Sequence, residues 1–413
     1  MQDKSSSEAQ PRAAAFGADS AEELAKLCRE AARAPFSYAA LENMAKGAQR
    51  WKYRRAAVAS GEAEAAEILL APPETHGAPK KLAFAFPGQG AAGAVPVAEL
   101  RRLLPVFSKY LGIAEKAAER IAGASLTPLL EKGRNSAALA EHISVFAYGA
   151  ALAFQYMDWG FVPDLILPHS LGEFSALAIS GMADFEETAE FVCRRALVID
   201  SIKERGVMLH AEAPLDLAEE LAARGAGKLS VASVNGPRSV VLSGMESAAR
   251  EAERALDMAK IPHRRLRVPY AAHSPLASQI AEKIAALPFP ALNEPSCPVF
   301  SSIDGNPLTA AEVSRPPRRA EQSLRPARFD KVLASARNLA QGAQITAVEF
   351  GVHRTLAGAG LAALPQSRWL GASSMKSYVA DKSREYCFKR GIMETAAALW
   401  EEGFADGAEW TQI

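Results

Sequence analysis

Apolar and polar positions follow two rhythms along this chain, one helical and one of short strands. Ser20 and Glu23 form a capping box ahead of Ala21–Ala34, which repeats its apolar positions at helical spacing. Tyr53–Ala59 has strand character and Gly61–Leu70 returns to helix. Ala71–Lys81, with Pro72, Pro73, Gly77 and Pro79, breaks both rhythms and reads as a linker. Leu82–Phe86 is a short apolar strand ending at Pro87-Gly88-Gln89-Gly90, and helical patterns fill most of Val97–Met157. Leu165-Ile166-Leu167 predicts a second buried strand, with helical spacing over Leu171–Ile179 immediately after it. Strand, sharp turn and helix in that order predict an α/β sheet.

A different pattern starts near Gly206. Val207–His210 reads as strand, Leu215–Ala223 as helix, and Leu229–Val234 and Ser239–Leu242 as strands; Glu246–Lys260 follows as helix and Arg264–Val268 as strand. That order, βαββαβ, is the split unit of ferredoxin-like folds. The first pattern resumes with strands at Pro298–Ser302 and Ala347–Phe350, so residues 206–270 read as an insertion in a larger α/β domain. Ser314–Arg328 reads as a Pro/Arg-rich surface loop whose five arginines are solvated. The expected organisation is a disordered lead-in at 1–15 and a small α/β unit at 16–80. A core at 81–205 and 271–375 follows, with the insert at 206–270 and a closing segment at 376–413.

Composition narrows the function. With 413 residues, two to four folding units are expected at ~100–200 residues each. Hydrophobic residues at 49% and charged residues at 23% exclude a mostly disordered chain. The 47 basic and 47 acidic side chains cancel, which argues against a nucleic-acid binder. The longest uncharged apolar stretch, about Ile143 to Met157, is short of the ~20 residues needed to span a bilayer. The polar start, Met-Gln-Asp-Lys-Ser-Ser-Ser, lacks the apolar core of a signal peptide. Cys28, Cys193, Cys297 and Cys387 lie far apart with no Cys-x-x-Cys, which argues against a disulfide framework or zinc site and for a reducing, cytoplasmic setting.

The strongest chemical signal is Pro168-His169-Ser170-Leu171-Gly172. A serine between a buried strand and a helix sits on a nucleophile elbow, with backbone N–H groups of the helix start beside it. Pro168 replaces the first glycine of the usual Gly-x-Ser-x-Gly. Of seven histidines, His169 adjoins the serine and would point elsewhere, while His76 and His263 read as surface residues. His273, on the loop where the chain re-enters the core, is the best-placed general base.

Four ordered motifs then carry a family resemblance: Phe86-Pro87-Gly88-Gln89-Gly90, His169-Ser170-Leu171-Gly172-Glu173, Val234-Asn235-Gly236-Pro237-Arg238 and His273-Ser274-Pro275-Leu276. Together they resemble the acyltransferase domain of polyketide and fatty acid synthases. Residues 16–80 look like the linker between ketosynthase and acyltransferase, and Leu399-Trp400 through Trp410 is similar to the post-acyltransferase linker.

The resemblance implies a hydrolase-like parallel-sheet core with a ferredoxin-like subdomain. Ser170 would be the nucleophile and His273 its base, with the backbone N–H groups of Gln89 and Leu171 as oxyanion hole. No Asp completes a triad; a backbone group would hold the second imidazole nitrogen, expected near Phe350-Gly351-Val352-His353. The family places an arginine 25 residues after the serine to bind a malonyl carboxylate, which is Arg195 here, with Arg194 as the alternative one residue away.

The chain departs from the family at Pro168, at His142 (usually Gln), at Arg319-Ala320 (a common Tyr-Trp pair before Leu324-Arg325-Pro326) and at Val352. Extender choice in the family correlates with the four residues ending at the catalytic histidine, here Tyr270-Ala271-Ala272-His273. Ala272 leaves apolar room for an α-methyl group, whereas Leu171 is more like malonyl-selective members; methylmalonyl is the favoured expectation. The implied substrates and partners are an acyl-coenzyme A, an acyl carrier protein and a neighbouring ketosynthase, with no cofactor and no metal. Rival readings are an acyl hydrolase on the same scaffold and an inactive docking fragment.

Overall fold

The computed structural model describes residues 9–37, 51–71, 80–133, 137–268, 270–373, 382–407 and 409–413. Strand β1 (Arg12–Ala18) pairs antiparallel with β2 (Tyr53–Ala59) along its whole length. The disordered lead-in expected at 1–15 is therefore corrected from Arg12 onward; residues 1–8 lie outside the described residues. The strand was hidden because Ala13-Ala14-Ala15 carries little strand propensity of its own. Pairing and burial supply what propensity does not. Phe16, Ala57 and Ala59 face a small core with Leu24, Cys28 and Leu69, while Ala15, Ala56 and Val58 face the main core. The helix Ala21–Ala31 begins as expected, with the Ser20 hydroxyl accepting from the Glu23 amide at 3.1 Å.

Strands β3 (Lys80–Phe86) and β4 (Leu165–Pro168) begin the parallel core sheet. Their near-continuous apolar sequence is explained by burial on both faces. Leu82, Phe84, Phe86 and Ile166 point into one core layer, and Ala83, Ala85, Leu165 and Leu167 into the other. The strand expected at Pro298–Ser302 is reduced to two isolated bridges, a parallel one between Val299 and Ile166 and an antiparallel one between Phe300 and Pro307.

The insert holds β5 (Val207–Ala211), β6 (Leu229–Gly236), β7 (Ser239–Gly244) and β8 (His263–Arg265), with helices Leu215–Arg224 and Glu246–Met258 between them. A short strand β9 (Ala327–Arg328) joins parallel to β6, giving the order β8-β5-β7-β6-β9. Within the insert every neighbouring pair is antiparallel, and the spatial order of its four strands is fourth, first, third, second. The expected ferredoxin-like unit is realised. Strands β10 (Gln344–Glu349) and β11 (Arg368–Gly371) complete the core sheet as β11-β10-β3-β4. The helix Arg384–Glu401 returns to the N-terminal unit, where the Glu401 carboxylate accepts from the Ala56 amide at 2.7 Å.

The Pro/Arg-rich segment is the main correction. Pro316–Leu324 is a helix, and Arg318 within it is buried rather than solvated. Its guanidinium donates to Glu173 Oε1 at 2.8 Å; Glu173 Oε2 accepts from the Ser302 amide at 2.9 Å and hydroxyl at 2.7 Å. A buried charge is tolerable only with such partners. Arg318→Ala is expected to cost about 3–5 kcal/mol in denaturant unfolding, and the double variant with Glu173→Gln less than the sum of the single changes. A loss below about 1 kcal/mol in Arg318→Ala would contradict this account of the pair.

Candidate active site

The chain turns sharply where β4 meets the helix Gly172–Ile179. Ser170 takes a left-handed φ of 50°, uncommon for a residue with a side chain, and the His169 amide donates to the Phe86 carbonyl at 2.9 Å. A Cβ on Gly172 would lie 2.0 Å from the Phe86 oxygen, so the close approach of helix to strand requires glycine. Pro168 ends an edge strand, where a missing N–H is tolerated, and the elbow forms despite it.

His273, also left-handed with a φ of 53°, places Nε2 2.7 Å from Ser170 Oγ. Its Nδ1 lies 2.7 Å from the Arg325 carbonyl, a pairing that puts the proton on Nδ1 and leaves Nε2 as acceptor. The partner expected near Phe350–His353 is thus corrected. Phe350 instead packs its ring on Phe84 and Phe86, and the helix Pro316–Leu324 delivers the Arg325 carbonyl.

The backbone N–H groups of Gln89 and Leu171 meet no acceptor among the described residues, whereas the next amide, Gly90, donates to Glu141 at 2.7 Å. Arg195 is 2% exposed; Arg194 is half-exposed and pairs with Glu190 at 3.3 Å. Helical spacing turns only one of the two inward. Arg195 donates to Gln322 Oε1 at 3.1 Å, Ser323 Oγ at 2.9 Å and His142 Nδ1 at 3.3 Å, and it stacks over Phe174. All these partners are neutral, and its Nε is buried without a hydrogen bond. Burial pushes its pKa below the ordinary arginine value.

His142 links onward to Gln89 Oε1 at 3.5 Å, and its ring lies 5.9 Å from that of Tyr270. A cavity of about 1120 Å³ opens at the elbow, walled by Ser170, His273 and Gln89 on one side and by Asn235, Arg238 and Arg264 of the insert on the other. Arg195, His142, Leu171, Tyr270 and Ala272 are buried outside that lining. The open space expected beside Ala272 is corrected accordingly: the residue is 4% exposed and packs in an apolar cluster with Tyr270, Ile199 and Ile280.

Gln322 escaped sequence reasoning. Its amide donates to the Ser170 carbonyl at 2.8 Å while its oxygen accepts from Arg195. The available signal was its place in Gln322-Ser323-Leu324-Arg325-Pro326, next to the departure at Arg319-Ala320. Among the described residues no group of three His, Cys, Asp or Glu is arranged to hold a metal, and no helix is long and apolar enough to cross a membrane.

Residues 83–385 match the family described as acyl transferase domain. The chain belongs to that family. Curated relatives are modular polyketide synthases. Polyketide synthase GfsE of Streptomyces halstedii is 33% identical over 269 residues, covering 62% of this chain and 7% of the relative. Erythronolide synthase EryA3 of Saccharopolyspora erythraea is 30% identical over 268 residues, covering 61% and 8%. The chain thus spans less than a tenth of either protein. Among solved structures, the acyl transferase domain of SpnD in complex with 2-(pent-4-yn-1-yl)malonyl superposes with a TM-score of 0.80 at 24% identity, covering 97% of each chain. The acyltransferase domain from the second module of the salinomycin polyketide synthase gives 0.70 at 27% identity, covering 96% of this chain and 84% of that one.

The electrostatics predict two pH effects of definite sign. Burial pushes the His273 imidazole from 6.5 down to about 3, against the opposing hydrogen bond to Arg325. The ring is then neutral and able to take a proton well into the acid range, so the acid limb of single-turnover acylation should lie below about pH 5. Burial also lowers the pKa of His142, His169 and His210. The unfolded chain gains protons as pH falls through about 6.5 and the folded chain does not, so stability is complete above that value and declines below it. Thermal melts at about pH 7.5 and pH 5.5 should show the fall, and unchanged melting would contradict it.

Proposed function

We propose that the chain is a malonyl-type acyltransferase of polyketide biosynthesis, working through an acyl-serine intermediate. The observation that carries this reading is Arg195, a buried guanidinium close to the elbow with only neutral hydrogen-bond partners and an unpartnered Nε. A buried cation in that state favours an anion, and a fork of donors suits the free carboxylate of a malonyl group. Ser170, deprotonated by His273, attacks the thioester carbonyl of the acyl-coenzyme A. The Gln89 and Leu171 N–H groups take the developing oxyanion, each worth ~3 kcal/mol in comparable sites. The coenzyme A thiolate leaves with a proton from His273, and the phosphopantetheine thiol of an acyl carrier protein then attacks the acyl-serine. The steps call on no cofactor. A neighbouring ketosynthase and a cytoplasmic setting belong to the same reading.

For the α-substituent, support comes from the pattern Tyr270-Ala271-Ala272-His273 rather than from open volume, since Ala272 is packed. That pattern favours methylmalonyl or a larger 2-alkylmalonyl group at least as much as malonyl, and one methyl is worth only ~1–3 kcal/mol.

Intact mass after brief incubation with malonyl-coenzyme A tests the proposal. Ser170→Ala should show no acyl adduct, and His273→Ala should acylate about 10²–10⁴-fold more slowly. Arg195→Ala should lose more than about 10²-fold with malonyl-coenzyme A and far less with acetyl-coenzyme A, while Arg194→Ala changes little. Equal losses for both acyl groups would remove the carboxylate clamp. Competing malonyl- and methylmalonyl-coenzyme A in one tube reads the extender directly. An overwhelmingly malonyl product would show that Leu171, rather than Ala272, sets the choice.

A further inference from the structure

The strand β6 of the insert makes hydrogen bonds to both sides of the Ser170–His273 pair. Near its start the Ser230 hydroxyl donates to the His273 carbonyl at 2.8 Å, with the Ser243 carbonyl as a second acceptor at 3.2 Å. Near its end Ser233 Oγ and Asn235 Oδ1 lie 3.1 Å and 2.9 Å from Nε2 of His169, the residue before the nucleophile. Both Ser170 and His273 are held at positive φ, a conformation that persists only where neighbours over-determine it. For His273 the amide is held by the Ser323 carbonyl at 3.2 Å and the ring by Arg325, both from the core. The carbonyl is held from the insert.

We propose that Ser230 is a positioning residue for the general base, so that the inserted subdomain as well as the core sets the serine–histidine separation. The inference rests on reading Ser170 and His273 as nucleophile and base. Ser230 does not line the cavity, so it acts through His273 rather than on substrate. Without its hydroxyl the carbonyl and the left-handed backbone gain freedom, and Nε2 drifts from the serine. The tether on His169 fixes the other side of the pair to the same strand.

Ser230→Ala and Ser230→Thr test this in the full chain, with two readouts on Ser170. One is single-turnover acylation by malonyl-coenzyme A, and the other is labelling by a fluorophosphonate, which needs neither the carboxylate site nor coenzyme A. Ser230→Ala is expected to slow both by about tenfold with KM and melting temperature little changed, and Ser230→Thr, which keeps the hydroxyl, to return within about twofold of the parent. A Ser230→Ala rate within about twofold of the parent, or a threonine variant as slow as the alanine one, would overturn the inference. Labelling that survives in Ser170→Ala would overturn the reading of the pair itself, and this inference with it.

Discussion

The buried contact between Glu173 and Arg318 is the constraint on which the site depends. Glu173 is the second residue of the helix that starts at the elbow, and Arg318 sits in the first turns of Pro316–Leu324. Their contact at 2.8 Å locks the two helices together, with Ser302 taking the carboxylate's other oxygen. Once Arg318 is fixed, helical spacing carries Gln322 round on the same side, and the chain leaves the helix in extended backbone at Arg325, whose carbonyl is presented beyond the helix end. Gln322 meets the Ser170 carbonyl, Ser323 meets Arg195 and the His273 amide, and Arg325 meets the His273 ring. The Glu173–Arg318 ion pair therefore sets the register of the helix that brings these contacts to the serine–histidine pair. Neither partner alone would be tolerated at that depth.

Two arginines lie buried near the elbow, and their contrast is informative. Arg318 has its carboxylate within the fold, whereas Arg195 has an imidazole, an amide and a hydroxyl. The first is a structural charge. The second keeps donor capacity beside the place where an acyl group would sit, which is why the proposed chemistry turns on it. The cavity between core and insert gives that chemistry its access, and the strand β6 ties the far wall to the same two residues.

Much of this was legible in the sequence because it rests on local signals. The strand–turn–helix around Ser170, the βαββαβ order of the insert and the capped helix at Ser20 each follow from periodicity and turn chemistry over a few residues. Ser170 and His273, 103 positions apart, were paired by motif order, and their 2.7 Å contact is what the fold adds. The segment 314–328 failed for an identifiable reason. Its composition of Pro and Arg is that of a solvated loop, and burial of Arg318 depends chiefly on a carboxylate 145 positions earlier, with Glu312 a second and longer contact at 3.6 Å. The histidine's backbone partner failed similarly, since a carbonyl has no sequence signature. Ala13-Ala14-Ala15 was read as disorder because its strand exists only through pairing with β2.

The most direct test of the central claim, that the site passes an acyl group from serine to a carrier thiol, is a chase of the isolated acyl-enzyme. Protein loaded with radiolabelled malonyl or methylmalonyl groups would be freed of coenzyme A and divided between buffer and a holo acyl carrier protein. The account predicts that the label stays on Ser170 in buffer and moves to the carrier thiol when the carrier is present. Label released as free acid at the same rate in both arms would contradict it and make the protein a hydrolase, and a chain that never takes up label would contradict it outright.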